Sequence, residues 1–267
     1  MVVLLEGFML RAYVAGILVA TILPTVGNFI VPKRLSVISD MAAHVTFGAL
    51  ALATLLNLVA QDLILYGVTA LSVIGALWLV RAGGYSGDIA AAIFLALGAA
   101  TASIALSLGS RLSLQGILFG SILLVGWEEV VSAAAVLAVI GLTLAARYKA
   151  LLLYVLSGEL TRLRGYRPEL IEVLLALLSS MAIVSSIKLL GVLMVTALTV
   201  IPVASASSLA TSMKRSVVLS IAIAQYSVLS GLSLSYFVGF PPGAMTVLTA
   251  LTALLVTSLL SRVGVRF

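Results

Sequence analysis

A stretch of about twenty apolar residues, interrupted only by Gly, Pro or a charge, recurs along the whole 267-residue chain. About twenty such residues are needed to cross the hydrocarbon core of a bilayer as a helix. Breaking the chain at its charges, Gly and Pro places spans near 8–30, 42–60, 63–80, 88–108, 127–146, 169–189, 191–210, 217–236 and 243–260. Composition explains why no water-soluble alternative competes: 63% of the residues are hydrophobic and only 9% are charged. A soluble domain needs about a quarter of its residues charged to cover its surface. The spacing therefore predicts a single all-α polytopic membrane domain over 1–267, with about eight to ten transmembrane helices. Leu112–Val125 is apolar but short and carries Gly, which suits a re-entrant helix. The first apolar run reads as a membrane span rather than a cleaved leader, since Glu6 precedes Arg11 and no small-residue cleavage site follows.

The basic residues test this frame, because Lys and Arg accumulate in cytoplasmic loops. With the N-terminus outside and the C-terminus inside, the inner boundary collects Lys33, Arg34, Arg81, Arg147, Lys149, Arg162, Arg164, Arg167, Lys214, Arg215, Arg262 and Arg266. Only Arg11, Arg111 and Lys188 fall on the outer side, where Lys188 is expected to snorkel to water. The net charge of +6 thus reports topology rather than nucleic acid. The loops are too short to contain a soluble domain, and no phosphate-cradling Gly-x-x-x-x-Gly-Lys-Ser/Thr run occurs. A subunit that performs no chemistry of its own is the expectation, energised by another polypeptide or by an ion gradient.

The longest polar stretch, Ser157–Pro168, lies on the basic side. Leu160 and Leu163 share one helical face, Glu159, Arg162 and Arg164 supply charge, and Gly165 can stop the helix. By pattern alone, a helix floating at the membrane interface and a docking helix for a soluble partner are equally compatible with these residues.

Ionisable groups inside a bilayer are costly and are candidate functional residues. Asp40 and His44, the sole His, are four residues apart and share a helical face. A carboxylate beside an imidazole suits zinc or manganese in a chain without Cys; the alternative is that Asp40 caps the helix while His44 bonds a neighbour. Glu128 and Glu129 open a span, where the macrodipole favours acids; the other reading makes them cation-attracting groups at an outer vestibule. The Ser and Thr residues of the seventh span read as close helix packing, and Lys188 as an unpaired boundary residue.

Several segments, in order, resemble the zinc/manganese-type permease family of ATP-binding-cassette (ABC) transporters. They are Phe29–His44, with its basic pair, Ser, Asp and His, and Leu118–Leu123, containing Phe119 and Gly120. Further along come Ser157–Gly165, Gly191–Ala206 with Pro202, and Gly231–Tyr236 with Ser235, followed by Pro241 and Gly243. Ser157 and Thr161 stand where the family usually has Asp and Ala. The resemblance implies an importer of a divalent metal ion, zinc, manganese or iron, with zinc and manganese foremost and no permanently bound cofactor. It implies a homodimer with the ion path at its interface, and Asp40 and His44 as transit ligands facing that path. Ser157, Glu159, Arg162 and Gly165 would couple to a cytoplasmic ATPase, and an extracytoplasmic binding protein would deliver the metal. The location implied is the inner membrane of a prokaryote. The competing class is an ion-gradient-driven carrier for cations or small solutes; a metalloenzyme is poor, since one His and no Cys leave too few ligands.

Overall fold

The computed structural model describes residues 7–33, 36–110 and 125–264. Among them, nine helices are long and apolar enough to cross a membrane, within the eight to ten expected. They are α1 (Gly7–Ile30), α2 (Ser36–Leu55), α3 (Gln61–Gly83), α4 (Gly87–Ser107), α5 (Trp127–Leu156), α7 (Pro168–Leu190), α8 (Val192–Leu209), α9 (Met213–Val238) and α10 (Pro242–Arg262). A short helix, α6 (Gly158–Leu163), sits between α5 and α7. The re-entrant helix expected over 112–125 lies outside the described residues except for Val125, as do Phe119 and Gly120.

Burial sorts the spans into two shells. In α1, α2 and α7 two-thirds of the central window is buried within the protein, whereas in α4, α5 and α10 only 28% is. Where the outer helices turn apolar side chains such as Leu71, Trp78, Leu97 and Leu142 outward, lipid is the matching solvent. The protein is an all-α polytopic membrane protein.

Contacts at the two ends fix the direction of the helices. At one end, Arg81 at the close of α3 pairs with Glu172 at the start of α7. There too, Lys33 lies 4.7 Å from the Tyr154 ring of α5, and Ser261 of α10 donates to the Ser208 carbonyl of α8. At the other end, Lys188 closing α7 pairs with Asp62 opening α3, and Ser110, after α4, donates to the Ala51 carbonyl of α2. The antiparallel alternation drawn from the basic residues holds for these spans.

Two of the helix boundaries and one side-chain role depart from the sequence expectation. α2 begins at Ser36 rather than near 42, so Asp40 and His44 lie inside the helix. α5 runs to Leu156, ten residues beyond the expected 146, so Arg147 and Lys149 stand on a helix rather than in a loop. Both differences have one cause: polar residues at a bilayer boundary do not stop a helix whose backbone bonds continue into water. The third concerns Lys188, expected to snorkel alone, which instead has a carboxylate partner in Asp62.

Candidate functional site: the α2 pair and the α6 loop

On α2, His44 Nε2 lies 3.9 Å from Asp40 Oδ1. The Asp40 side chain is 47% exposed and that of His44 28%, so the pair opens onto the surface of the single chain rather than into its core. Asp40 is the fifth residue of its helix, beyond reach of the unpaired first-turn N–H groups, so it is not an N-cap. The opposite side of α2 is tightly backed. A Cβ placed on Gly98 of α4 would stand 2.7 Å from the His44 carbonyl, and one on Gly48 would stand 2.6 Å from the Gly98 carbonyl. The two backbones touch because both positions lack a side chain. Two residues on from His44, Thr46 Oγ1 and Thr69 Oγ1 lie 2.7 Å apart and tie α2 to α3. The position of the pair is therefore set by α3 and α4 together.

No group of three or more His, Cys, Asp or Glu that could hold a metal is present among the described residues. Asp40 and His44 offer two donors, fewer than a closed site requires. A transient stop on a path needs no more, since conduction demands release as well as binding.

Glu128 and Glu129 separate by role. Glu129 folds back, its Oε2 accepting from the Gly126 N–H at 3.0 Å, which closes the start of α5. Glu128 beside it is exposed.

The α6 loop has well-defined stops. Ser157 Oγ accepts from the Glu159 N–H at 3.2 Å, so Ser does the capping that an Asp would do there. Thr161 is fully buried and returns its hydroxyl to the Ser157 carbonyl at 2.8 Å, so the position tolerates a small polar residue in place of Ala. At the far end Gly165 adopts φ +79°, its N–H bonding the Arg162 carbonyl and the Tyr166 N–H the Thr161 carbonyl. This pair of bonds is a Schellman closure, which needs a left-handed residue and so favours Gly. Arg162 Nη2 holds Glu169 Oε1 of α7 at 2.6 Å. Glu159, Leu160 (47% exposed) and Leu163 (82% exposed) are left facing outward.

The remaining motif residues lie at helix junctions and close approaches. Gly191 joins α7 to α8 at φ 79°, and Pro202 is buried within α8. Gly231 touches the Thr246 backbone of α10, Ser235 Oγ donates to the Phe240 carbonyl at 2.6 Å, and Pro241 precedes the first turn of α10, in which Gly243 is buried. Tyr236 is exposed and meets Phe237 edge to face. Sequence reasoning missed the Arg81–Glu172 and Asp62–Lys188 pairs; opposite charges at the same expected boundary were the available signal. It also missed the buried Asn28, which takes Ser216 and Ser220 of α9 as hydrogen-bond partners and had no pattern to announce it.

Three relatives are similar along nearly their whole length. A probable metal transport system membrane protein from Thermotoga maritima is 28% identical, covering 93% of this chain and 88% of its own. The high-affinity zinc uptake system membrane protein ZnuB of Haemophilus influenzae is 27% identical (94% and 96% covered). The manganese transport system membrane protein MntC of Listeria monocytogenes is 25% identical (91% and 87%). The fold is that of PsaBC from Streptococcus pneumoniae, solved in complex with Fab, at a TM-score of 0.87 and 24% identity over 96% of this chain and 95% of that one. The ABC 3 transport family matches residues 6–261, and the chain belongs to that family, as a membrane permease subunit.

Proposed function

We propose that this chain is the permease of an importer for divalent metal ions, zinc or manganese, in a prokaryotic inner membrane. The carrying observation is the Asp40–His44 pair, a carboxylate and an imidazole 3.9 Å apart on a membrane-spanning helix and open to the outside of the single chain. The relatives named for metal, zinc and manganese transport support the same reading. A path between two copies of the chain would use that open face. Cytoplasmic ATPase subunits would dock on α6 at Ser157, Glu159, Arg162 and Gly165, and an external binding protein would deliver the ion. The orientation that fits puts α6 and the C-terminus in the cytoplasm and the N-terminus outside. Hydrolysis would then belong to the ATPase subunit, and metal would pass through as substrate rather than stay as a cofactor. The choice between zinc and manganese does not follow from one carboxylate and one imidazole, which serve both.

The test is ATP-dependent uptake of zinc, manganese and iron into vesicles containing the permease with its partner subunits. His44→Ala and Asp40→Asn should each cut uptake by about tenfold or more, the scale on which even outer partners of a metal matter, while assembly persists. Full-rate uptake by both variants removes the transit role. Uptake that needs an ion gradient and no ATPase would favour the carrier reading instead.

A further inference from the structure

The first turn of α9 carries an uncompensated charge. Met213, Lys214 and Arg215 open this helix, and no acidic residue lies in its first turn. Cations are disfavoured at that end, where the macrodipole is positive and N–H groups are unpaired. Ser212 Oγ accepts one of those N–H groups, from Arg215, at 3.4 Å. The Arg215 guanidinium donates to Thr211 Oγ1 at 2.8 Å, and Lys214 Nζ stands 5.8 Å from the Tyr148 ring centroid. Among the described residues neither cation has a carboxylate within ion-pair distance.

Two apolar surfaces, a trough and an open helix face, meet at these cations. One, of about 540 Å³, has α1 as its floor at Thr25 and Phe29, with Leu144 and Tyr148 of α5 on one bank and Val217 of α9 on the other. The second is the open outer side of α9 itself, from Lys214 and Arg215 past Val218, Leu219 and Ala222. Lys214 and Val218 border both, so Val218, 69% exposed, forms the ridge between them. Paired positive charge at the head of an apolar trough and an adjoining apolar helix face, at a membrane boundary, matches a diacyl lipid with an anionic headgroup. Basic pockets between spans at that level have the chemistry to hold such headgroups.

We propose that the start of α9 binds an anionic diacyl phospholipid drawn from the surrounding bilayer. Its headgroup phosphate lies against Lys214 and Arg215; one chain occupies the trough beside α1 and α5, and the other lies along the outer side of α9, with Val218 between them. A free phosphate would satisfy the charges but leave the apolar walls unfilled. A zwitterionic lipid would fill the walls but bring its own cation to the headgroup.

Native mass spectrometry of the permease with its partner subunits, released from vesicles of equal phosphatidylglycerol and phosphatidylcholine, tests this. The wild type should retain phosphatidylglycerol preferentially. Lys214→Gln with Arg215→Gln should reduce that preference by about thirtyfold, each charge near the surface contributing about a fivefold factor. Lys214→Arg with Arg215→Lys should keep it, as should Arg262→Gln at the same end. Should the double Gln variant not fold, Val218→Trp crowds the trough and the adjoining face without touching the charges and should lower retention alone. Equal retention by wild type and the double Gln variant overturns the proposal, as does an equal loss in Arg262→Gln. Displacement of the lipid by inorganic phosphate, or by ATPase subunits or a second permease copy seated on this face, overturns it too.

Discussion

Lys188 could reach water on its own flexible stem, yet it pairs with Asp62 from a different helix. The Lys188 side chain is 27% exposed and that of Asp62 63%, so solvent screens the pair and it contributes about 1 kcal/mol or less. Its value lies in register: it fixes which end of α3 meets which end of α7. Lys188→Asp places two carboxylates together and should lower the melting temperature in detergent by about 3 °C. Adding Asp62→Lys should recover most of that loss. No recovery in the swapped protein would mean that the pair does not set the register. Single residues were also where sequence reasoning was weakest. Asp40 and His44 were legible because four-residue spacing guarantees a shared face. The glycine contact behind His44 was not, since Gly48 and Gly98 lie fifty residues apart and nothing in either span marks them as partners.

At the scale of elements, α6 was legible in detail. The polar stretch, the Leu160 and Leu163 spacing and Gly165 foretold a short helix with a stop, and the structure has Gly158–Leu163 followed by a left-handed glycine. The reason is local: capping and Schellman chemistry are written within a dozen residues. The start of α2 and the end of α5 were misplaced because a hydropathy break marks the edge of the bilayer, whereas the helix runs on into water beyond it. Gly165→Ala should strain the closure of α6, since φ +79° disfavours a side chain, by about 1 kcal/mol. Permease-stimulated ATP hydrolysis should fall, while the far-ultraviolet helix signal stays the same. Unaltered stimulation would show that the loop geometry is irrelevant to docking.

For the whole molecule, the fold class followed from the absence of polar surface and the direction of its helices from the distribution of Lys and Arg; both are global quantities that survive local error. The layering did not follow. Mean hydropathy does not separate α1 and α7 (2.1 and 2.2) from α4, α5 and α10 (2.2, 2.1 and 1.9), because lipid and protein interior look alike to a hydropathy scale; only α2, at 1.4, stands apart. Absolute orientation can be read directly, since the chain contains no Cys. Leu163→Cys, with its side chain 82% exposed on α6, should react with an impermeant maleimide only from the cytoplasmic side. Labelling from outside would invert the frame.

The length of α5 has a mechanical consequence. Its 30 residues rise about 45 Å, whereas the hydrocarbon core is about 30 Å thick, so roughly a third of the helix stands beyond it. α6 is attached directly to that overhang, with Ser157 as the only residue between. A stiff rod so placed is a lever. Tilting it by about 5° about its midpoint sweeps each end through about 2 Å, in opposite directions. A displacement of α6 by whatever docks there would be returned, reversed in direction, at the opposite face of the membrane beside Glu128, with no side chain needing to relay it.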